Sequence, residues 1–371
     1  MAEVEIGMGK AGRRGYGLRD VAIVPSRRTR DPEEVDVSWE IDAYRFELPI
    51  LASPADSVTS PSTAVQLGRL GAGAVLHLEG LWTRYEDPLP LCEEIASLPE
   101  SKATARMQEI YAEPVKTELV GQRIAEIKAQ DVTCAVAVTP QRTLELADAV
   151  LRAEPDLLVI QATVVSAEHV SRTVDALNLK DFIRHYEIPV IVGGCTSYQT
   201  ALHLMRTGAA GVLVGTGSGM ASAVRRVLGL GVPLATALVD AHAARMRHLD
   251  ETGVYVQVIA DGGITTGGDI ARAVVCGADA AMLGSPLAAA HEAPGNGWHW
   301  GLAAAHGSLP RGSRVPVETR GSFEEILIGP SHDPEGRLNL VGALQRTMAS
   351  CGYPTLKELR MADLVVTDGA R

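Results

Sequence analysis

Short apolar runs that end in glycine, serine, proline or a polar residue alternate along the chain with segments of helical periodicity. The apolar runs are residues 48–53, 74–77, 134–138, 157–161, 190–193, 212–215, 255–260 and 280–284. The helical segments include residues 61–70, 140–152, 197–206 and 268–275. Buried parallel strands read as continuous apolar runs, and eight strand–helix units close a sheet into a barrel. The pattern therefore predicts a TIM (β/α)8 barrel, with a doubly wound parallel sheet as the alternative.

A weak internal repeat supports the barrel. Residues 208–215 are echoed by residues 277–284, and residues 70–77 form a fainter third copy. Each copy reads as a glycine at the end of a helix followed by a buried strand. The repeat unit is thus the helix-to-strand connection of a βα barrel.

Two segments exceed ordinary loop length: residues 82–131 after the second strand, and the tail from Pro294 onward. Residues 108–128 of the first segment are charged and amphipathic, which predicts a helical stretch. Residues 295–312 of the tail are rich in glycine, tryptophan and histidine. We predict one barrel domain over residues 1–371, with 82–131 as an insertion and 295–371 as a flap and C-terminal extension. Long loops at the catalytic end of a barrel are usually lids.

Composition restricts the class of protein. A hydrophobic fraction of 46% allows a large core, while a net charge of −11 disfavours nucleic-acid binding as the main role. A basic cluster near the N-terminus is the local exception, and a solvated or intersubunit role explains it better than nucleic acid does. The five cysteines include no Cys-x-x-Cys pair, and no apolar run approaches the length of a membrane span. We expect a soluble, cytoplasmic protein with no membrane or nucleic-acid partner.

Two of the predicted strands end in a pattern typical of phosphate binding. Asp261-Gly262-Gly263 follows the seventh strand, and Gly284-Ser285 follows the eighth. A glycine just past a strand lets backbone N–H groups approach a phosphate closely. The last two strands of a (β/α)8 barrel frequently hold phosphate in this way. Asp261, at the strand tip, is placed to accept hydrogen bonds from ribose hydroxyls, so the sequence predicts a nucleotide site.

Other candidates lie at the same predicted edge. Gly217 and Gly219 belong to a glycine-rich loop after the sixth strand, which suits an anion or a monovalent cation such as K⁺ but also reads as an ordinary flexible loop. Cys195 ends the fifth strand and would face the barrel mouth, where a thiol of lowered pKa is a nucleophile. Inert packing is the commoner role of a free cysteine. His77 ends the second strand and reads equally well as a structural histidine.

At this point the chain resembles the IMP dehydrogenase/GMP reductase family, specifically its GuaB3-type, actinobacterial, IMP dehydrogenase-related subgroup. The resemblance spans almost the whole chain and rests on residues 16–25, 53–57, 260–264, 282–285 and 292–295. Ser53-Pro54-Ala55-Asp56-Ser57 is similar to the first-strand motif of the family, in which a methionine replaces the alanine. The gap after the second strand is too short for the paired CBS modules of the family, so we expect none.

The resemblance implies a substrate site and a chemistry. It implies purine-nucleotide contacts at Ser53, Asp261, Gly262, Gly263, Gly284 and Ser285, and cofactor contacts at Gln161 and Ala162. Members attack purine C2 with a cysteine on the loop after strand six, then pass hydride to or from NAD(P). That cysteine position is Ser222 here, and the threonine two residues later is Val224.

Further positions depart from the family pattern. The phosphate-binding serine of the loop is Met220, the cofactor-contacting aspartate is Gln161, and the lysine of GMP reductases aligns with Leu78. The Arg-Tyr flap dyad of the dehydrogenases has no clear counterpart. The residues that hold ribose and phosphate survive, whereas those of covalent C2 chemistry are largely replaced.

Two functions follow from this division. The first is an NAD(P)-dependent purine-nucleotide oxidoreductase, best described as reductive deamination of GMP or a GMP-like nucleotide at C2, with Ser222 and Cys195 as candidate catalytic residues. The alternative is a catalytically impaired nucleotide-binding regulator, because Ser222 replaces the cysteine. A flavin or phosphosugar barrel of another family is a more distant reading. The resemblance also implies a homotetramer.

Overall fold

The central feature of the chain, in a computed structural model that describes residues 3–167, 177–216, 219–222, 224–301 and 314–367, is a closed barrel of parallel strands. The strands are β1 (Glu3–Gly7), β2 (Lys10–Arg13), β3 (Val21–Ile23), β4 (Trp39–Ile41), β5 (Tyr44–Phe46), β6 (Ile50–Ala52), β7 (Gly73–His77), β8 (Ala135–Val138), β9 (Leu157–Gln161), β10 (Val190–Cys195), β11 (Gly211–Val214), β12 (Gln257–Asp261), β13 (Ala280–Leu283), β14 (Trp298–His299), β15 (Val315–Pro316) and β16 (Leu364–Val366). The α-helices are α1 (Pro61–Arg69), α2 (Leu89–Ser97), α3 (Glu100–Ile110), α4 (Thr117–Lys128), α5 (Thr143–Ala153), α6 (Leu179–His185), α7 (Tyr198–Met205), α8 (Val224–Leu228), α9 (Leu234–Thr252), α10 (Gly267–Val275), α11 (Ser285–Ala288), α12 (Phe323–Leu327), α13 (Leu340–Cys351) and α14 (Leu356–Leu359).

Strands β6 to β13 form the barrel in chain order, and β13 pairs with β6 to close it. Every pair in the barrel is parallel. Each of the eight predicted apolar runs supplies one strand, so the TIM barrel is confirmed and the doubly wound sheet is wrong. The strands carry small and branched apolar side chains that are almost entirely buried, as a barrel with a packed interior requires.

The helices begin where side chains satisfy the free N–H groups of their first turn. The hydroxyls of Ser60, Ser197 and Thr266 each accept a backbone hydrogen bond three residues further on. These caps start α1, α7 and α10 close to the predicted positions. Among the residues that the structure describes, none of the helices combines the length and hydrophobicity that a bilayer crossing requires.

The internal repeat corresponds to a recurring turn. Gly71, Gly208 and Gly277 each adopt a positive φ, of 86°, 97° and 118°, between a helix and the following strand. This backbone region favours glycine, which explains why the residue recurs in all three copies.

A hairpin of β4 and β5 covers the amino end of the barrel. Its Ile41 side chain lies against Gly211, the first residue of β11, and its Phe46 ring lies against Gly73, the first residue of β7. The Phe46 ring stacks on Trp39, with centroids 5.1 Å apart. The hairpin leaves the opposite, carboxyl-terminal mouth as the end where ligands have access.

The segment after β7 differs from its prediction in one respect. Residues 108–128 are not one helical stretch, because α3 ends at Ile110 and α4 begins at Thr117. Pro114 lies in this break and has no N–H group to continue a helix. Helix α4 packs against α1 and α5 and is therefore the barrel helix between β7 and β8. Only α2 and α3 form an insertion.

The insertion and the C-terminal tail share a second apolar cluster. Its fully buried members are Leu81, Cys92, Ile95, Met107, Ile110, Tyr111 and Trp300. The Arg314 guanidinium lies 3.7 Å from the Trp298 ring centroid and donates to the Ala96 carbonyl at 2.8 Å, and it also donates to the Ile95 and Leu98 carbonyls. The tail is therefore bound to the end of α2. Most of the glycine-rich stretch 295–312 lies outside the described residues.

Candidate active site

The carboxyl ends of the barrel strands gather the residues that sequence analysis singled out. Ser53 follows β6, Gln161 ends β9, Cys195 ends β10, Asp261 ends β12 and Gly284 follows β13. Because all eight strands are parallel, these positions lie around one mouth of the barrel. The sequence placed each of them at a strand end, and the structure puts them there.

Asp261 and Gln161 are in direct contact. The Gln161 amide donates to Asp261 Oδ2 at 3.0 Å, and it also lies 3.8 Å from Met282 Sδ. Burial raises the pKa of Asp261 to about 6, and the hydrogen bond from Gln161 opposes this rise. The Gln161 Oε1 atom is buried and has no hydrogen-bond partner among the described residues. This pair thus offers a ligand one carboxyl group and one free amide oxygen.

The geometry of the two strand ends explains why glycine occurs there. Gly262 and Gly263 both adopt left-handed backbone conformations, with φ of 85° and 74°. A Cβ at Gly284 would lie 2.9 Å from His299 Nε2 and 3.2 Å from Ser53 Oγ, so no larger residue fits there. Ser285 follows directly and opens the short helix α11. Glycine is therefore required at both strand ends, by left-handed backbone at one and by close packing at the other.

His299 belongs to this site although sequence analysis did not select it. Its Nδ1 atom lies 2.9 Å from Ser57 Oγ, which also accepts from the Trp300 backbone N–H at 3.1 Å. Burial lowers the pKa of His299 to about 4, so the ring is neutral at physiological pH. Ser53 Oγ, beside it, is buried without a hydrogen-bond partner among the described residues. The only sequence signal for His299 was its place in the Gly/Trp/His-rich stretch.

A second buried hydrogen-bond network adjoins the Ser57–His299 contact through Trp300. The Tyr111 hydroxyl donates to Asp56 Oδ2 at 2.6 Å and accepts from Trp300 Nε1 at 2.9 Å, while the Leu81 backbone N–H donates to the same carboxyl oxygen at 3.1 Å. Burial raises the pKa of Asp56 to about 6. The network connects the loop after β6, the insertion and the tail, so it fixes the walls of the mouth relative to one another.

His77 ends β7, as predicted, but is 2% exposed. Burial lowers its pKa to about 3, with the Arg84 charge as a second cause. Its Nε2 atom has no hydrogen-bond partner among the described residues. The ring is neutral and enclosed, which fits the structural reading of His77 better than a ligand contact.

The loop after β11 carries Ser222, a candidate catalytic residue. Ser222 is half-buried, and among the described residues its hydroxyl accepts only from the Val224 backbone N–H, at 3.4 Å. Within the described ranges, no histidine, lysine or carboxylate hydrogen-bonds to this hydroxyl, so nothing there activates it as a nucleophile. The Gly219 carbonyl accepts from the Ser222 N–H at 3.0 Å. Gly217, the other candidate for a cation ligand, lies outside the described residues.

Cys195 occupies an environment that disfavours a thiolate. It is 2% exposed, and burial raises its pKa to about 12. Reactive cysteines have lowered pKa values and accessible sulfur atoms. The catalytic role of Cys195 stays a prediction, and these surroundings argue for packing instead.

The two candidate cofactor contacts, Gln161 and Ala162, differ in whether they keep a polar atom that could bind the cofactor. The Ala162 N–H donates to the Gly193 carbonyl and its carbonyl accepts from the Gly194 N–H, both at 2.9 Å. Both backbone polar groups of Ala162 are therefore already hydrogen-bonded, which leaves its methyl group to contact a cofactor. Gln161 keeps its buried Oε1 atom, which fits an amide donor such as the carboxamide of a nicotinamide ring.

Comparisons with known proteins agree with this geometry. Residues 15–303 match the IMP dehydrogenase / GMP reductase domain. An uncharacterized oxidoreductase of Mycolicibacterium smegmatis is 50% identical over 98% of this chain and 99% of its own length. Inosine-5'-monophosphate dehydrogenase of Methanocaldococcus jannaschii is 24% identical over 94% of this chain and 91% of its own. The crystal structure of an IMP dehydrogenase/GMP reductase-like protein from Corynebacterium glutamicum superimposes with a TM-score of 0.93, at 45% identity and 98% coverage of both chains.

Proposed function

Since the chain belongs to the IMP dehydrogenase/GMP reductase family of oxidoreductases, we propose that it catalyses NAD(P)-dependent reductive deamination of GMP or a GMP-like nucleotide at C2. The observation that carries this proposal is the convergence of Asp261 with the two glycine strand ends at one mouth. A carboxyl group suits ribose hydroxyls, and backbone N–H groups at Gly263 and Gly284 suit a phosphate. Together these groups would recognise the ribose and the phosphate of a mononucleotide.

The state of Ser222 and Cys195 favours a route without a thioimidate. A covalent route needs a thiolate, and Cys195 is protonated and enclosed while no base contacts Ser222 in the part of the chain that the structure describes. We infer that hydride adds to C2 as a proton from solvent adds to the ring nitrogen. This proton then passes to the amino group, which leaves as ammonia as the C2–N double bond of the IMP-like product forms again. The role left to Ser222 is to orient the base with its hydroxyl.

A bound nicotinamide cofactor would supply the hydride. Gln161 and Ala162 are the residues proposed to hold it, and the free Gln161 Oε1 is the group that supports the assignment. The amide of Gln161 also donates to Asp261, so the same side chain would link the cofactor side of the mouth to the ribose side.

The test is the absorbance of the reduced cofactor. NADPH and NADH are each mixed with GMP, and NADP and NAD with IMP, and ammonia release is measured in parallel. Consumption of reduced cofactor with GMP, matched by ammonia and lost in Asp261→Ala, is the expected result. A flat trace in every pairing would overturn the enzymatic proposal.

A nucleotide-binding regulator without turnover is the second candidate, and the surroundings of Ser222 and Cys195 are the observation that favours it. It would bind GMP or IMP, seen as a rise in melting temperature, and give no cofactor turnover. Ser222→Cys separates the enzyme from the regulator. A regulator should stay inactive in this variant, because it also has Val224 in place of the family threonine and lacks the flap dyad.

We further propose that the protein is a cytoplasmic homotetramer and that Gly217 and Gly219 belong to a monovalent-cation site. Sedimentation tests the assembly. Replacement of K⁺ by a large organic cation in the turnover assay tests the cation site.

A further inference from the structure

A cavity of about 360 Å³ opens beside the phosphate end of the proposed nucleotide site. Its lining includes Ser285 and Thr265, which follow the last two barrel strands, and Met220 from the loop after β11. Arg19 and Arg320 line the same cavity. Its volume lies in the range of complete small-molecule pockets, about 300–1,000 Å³. One phosphate group held at the strand ends would leave much of it empty.

The cavity is lined by one apolar side chain and by several arginine guanidinium groups. Met220 is 54% exposed and carries no hydrogen-bond donor, so it offers a phosphate no side-chain partner. Arg19 donates to the Thr265 hydroxyl at 3.5 Å and makes no ion pair within the described part of the chain. The exposed Arg19 guanidinium thus lies next to the loop after β12 and has no acidic partner among the described residues.

The other arginines are paired to different degrees. Arg320 contacts Glu318 at 2.8 Å, but the Glu318 side chain is 74% exposed and free to turn into solvent. Arg337 is held between Asp333, at 3.1 Å, and Glu335, at 2.7 Å. Hydrogen bonding to Arg337 lowers the pKa of Asp333 to about 2, so that pair stays charged and closed. Arg19 and Arg320 are therefore the two guanidinium groups available to an anion.

We propose that this cavity binds a second phosphate group, so that the substrate is a nucleoside 5′-diphosphate or another nucleotide with an anionic group beyond its 5′-phosphate. This inference rests on the proposed nucleotide site at Asp261 and the strand-end glycines. Arginine forms bidentate, charge-assisted hydrogen bonds with phosphate oxygens, which suits Arg19 and Arg320 to that role. Because Glu318 and Glu335 also line the cavity, a second phosphate binds by displacing Glu318 from Arg320.

The experiment is calorimetric titration of the full chain with guanosine, GMP and GDP at low and moderate salt. Wild type should bind GDP at least about tenfold more tightly than GMP, a difference that salt reduces. Arg19→Ala and Arg320→Ala should each remove most of the GDP preference and change GMP affinity little. Arg27→Ala, an exposed arginine of the same N-terminal cluster outside the cavity, is the matched control and should keep the preference.

Each other outcome has a defined meaning. Equal affinities for GMP and GDP would overturn the second-phosphate site and leave the proposed function standing. Equal weakening of GMP and GDP in Arg19→Ala would show that Arg19 holds the first phosphate, which also overturns it. Pyrophosphate that binds alongside GMP without competing with GDP would indicate a separate anion site and overturn it as well. If wild type bound neither GMP nor GDP, both the second-phosphate site and the proposed function would be overturned.

Discussion

The amide of Gln161 donates a 3.0 Å hydrogen bond to the carboxyl of Asp261 across the barrel mouth, although the two residues are 100 positions apart in the chain. Burial raises the pKa of Asp261 to about 6, close to physiological pH. The hydrogen bond from Gln161 acts in the opposite direction, because it stabilises the ionised carboxylate. Gln161, a proposed cofactor contact, therefore favours the charged form of the proposed ribose acceptor. An aspartate at position 161 would instead place a second negative charge beside Asp261.

Removal of this hydrogen bond should shift the pH dependence of nucleotide binding. In Gln161→Leu the pKa of Asp261 rises further, because the carboxylate loses its donor while staying buried. GMP affinity should then fall near neutral pH and recover at higher pH, as measured by titration across pH 5–9. Gln66→Leu, on the exposed side of α1, is the control. An unchanged pH profile in Gln161→Leu would show that Asp261 does not bind the ribose as a carboxylate.

Asp261 should also cost the protein stability. Its pKa is raised on folding, so the folded state holds the proton more tightly than the unfolded state does. Its contribution is therefore favourable at low pH and is lost as the pH rises from about 4 through about 6. Asp261→Asn should be more stable than wild type near pH 7, by about 1–3 kcal/mol in urea unfolding, and equal to it near pH 4. A less stable Asp261→Asn at pH 7 would contradict the burial argument.

The barrel was accessible from sequence because its signals are local. Each strand is a short apolar run, and each helix start carries its own cap, such as Ser197 or Thr266. The strand-end positions of Asp261 and Gly284 followed directly. The break between α3 and α4 was missed because charged, helix-forming residues flank Pro114 on both sides and hide it in the periodicity.

The rest of the site depends on contacts between distant segments. Nothing near His299 in the chain indicates that its ring reaches Gly284 and Ser57, because the tail arrives there only through the packing of Trp300 on the insertion. The burial of Cys195 was equally hidden, since a strand-end position alone does not say which way a side chain points. Sequence patterns thus located the mouth but not the groups that enclose it.

The Asp56–Tyr111–Trp300 network should be required for the insertion to hold the tail. Tyr111→Phe removes the hydroxyl that donates to Asp56 at 2.6 Å and accepts from Trp300 Nε1. The buried carboxyl loses a donor, which should cost about 1–3 kcal/mol. Urea unfolding measures the loss. Tyr85→Phe, whose hydroxyl donates to the Ile110 carbonyl from a half-buried position, is the control and should cost less. A neutral Tyr111→Phe would show that water replaces the hydroxyl.

The cysteines should be unreactive in the native protein. All five are buried, and burial raises the pKa of Cys195 and Cys276 to about 12. A thiol-specific colorimetric reagent near pH 8 should therefore detect essentially no thiol in the folded chain and all five after denaturation. Rapid modification of Cys195, mapped by mass spectrometry and blocked by GMP, would restore it as a candidate nucleophile.

At the amino end of the barrel, an ion pair should carry stability without affecting the site. Arg245 has no exposed side-chain surface and contacts Asp279 at 2.6 Å, and Asp279 also accepts from the Tyr255 hydroxyl and the Val258 backbone N–H, both at 2.7 Å. Asp279→Asn leaves the Arg245 charge buried with a weakened partner, which should cost about 3–5 kcal/mol in urea unfolding.

Glu40→Gln, which breaks an exposed pair with Arg45 at the same end of the barrel, is the matched control and should leave the unfolding midpoint nearly unchanged. Because Asp279 lies at the end opposite the mouth, the folded fraction of Asp279→Asn should bind GMP with the affinity of wild type. A large loss of GMP affinity at full folding would show that the two ends of the barrel are coupled. Wild-type stability in Asp279→Asn would show instead that the contacts Arg245 already makes with His242 and the Tyr255 ring suffice to hold its buried charge.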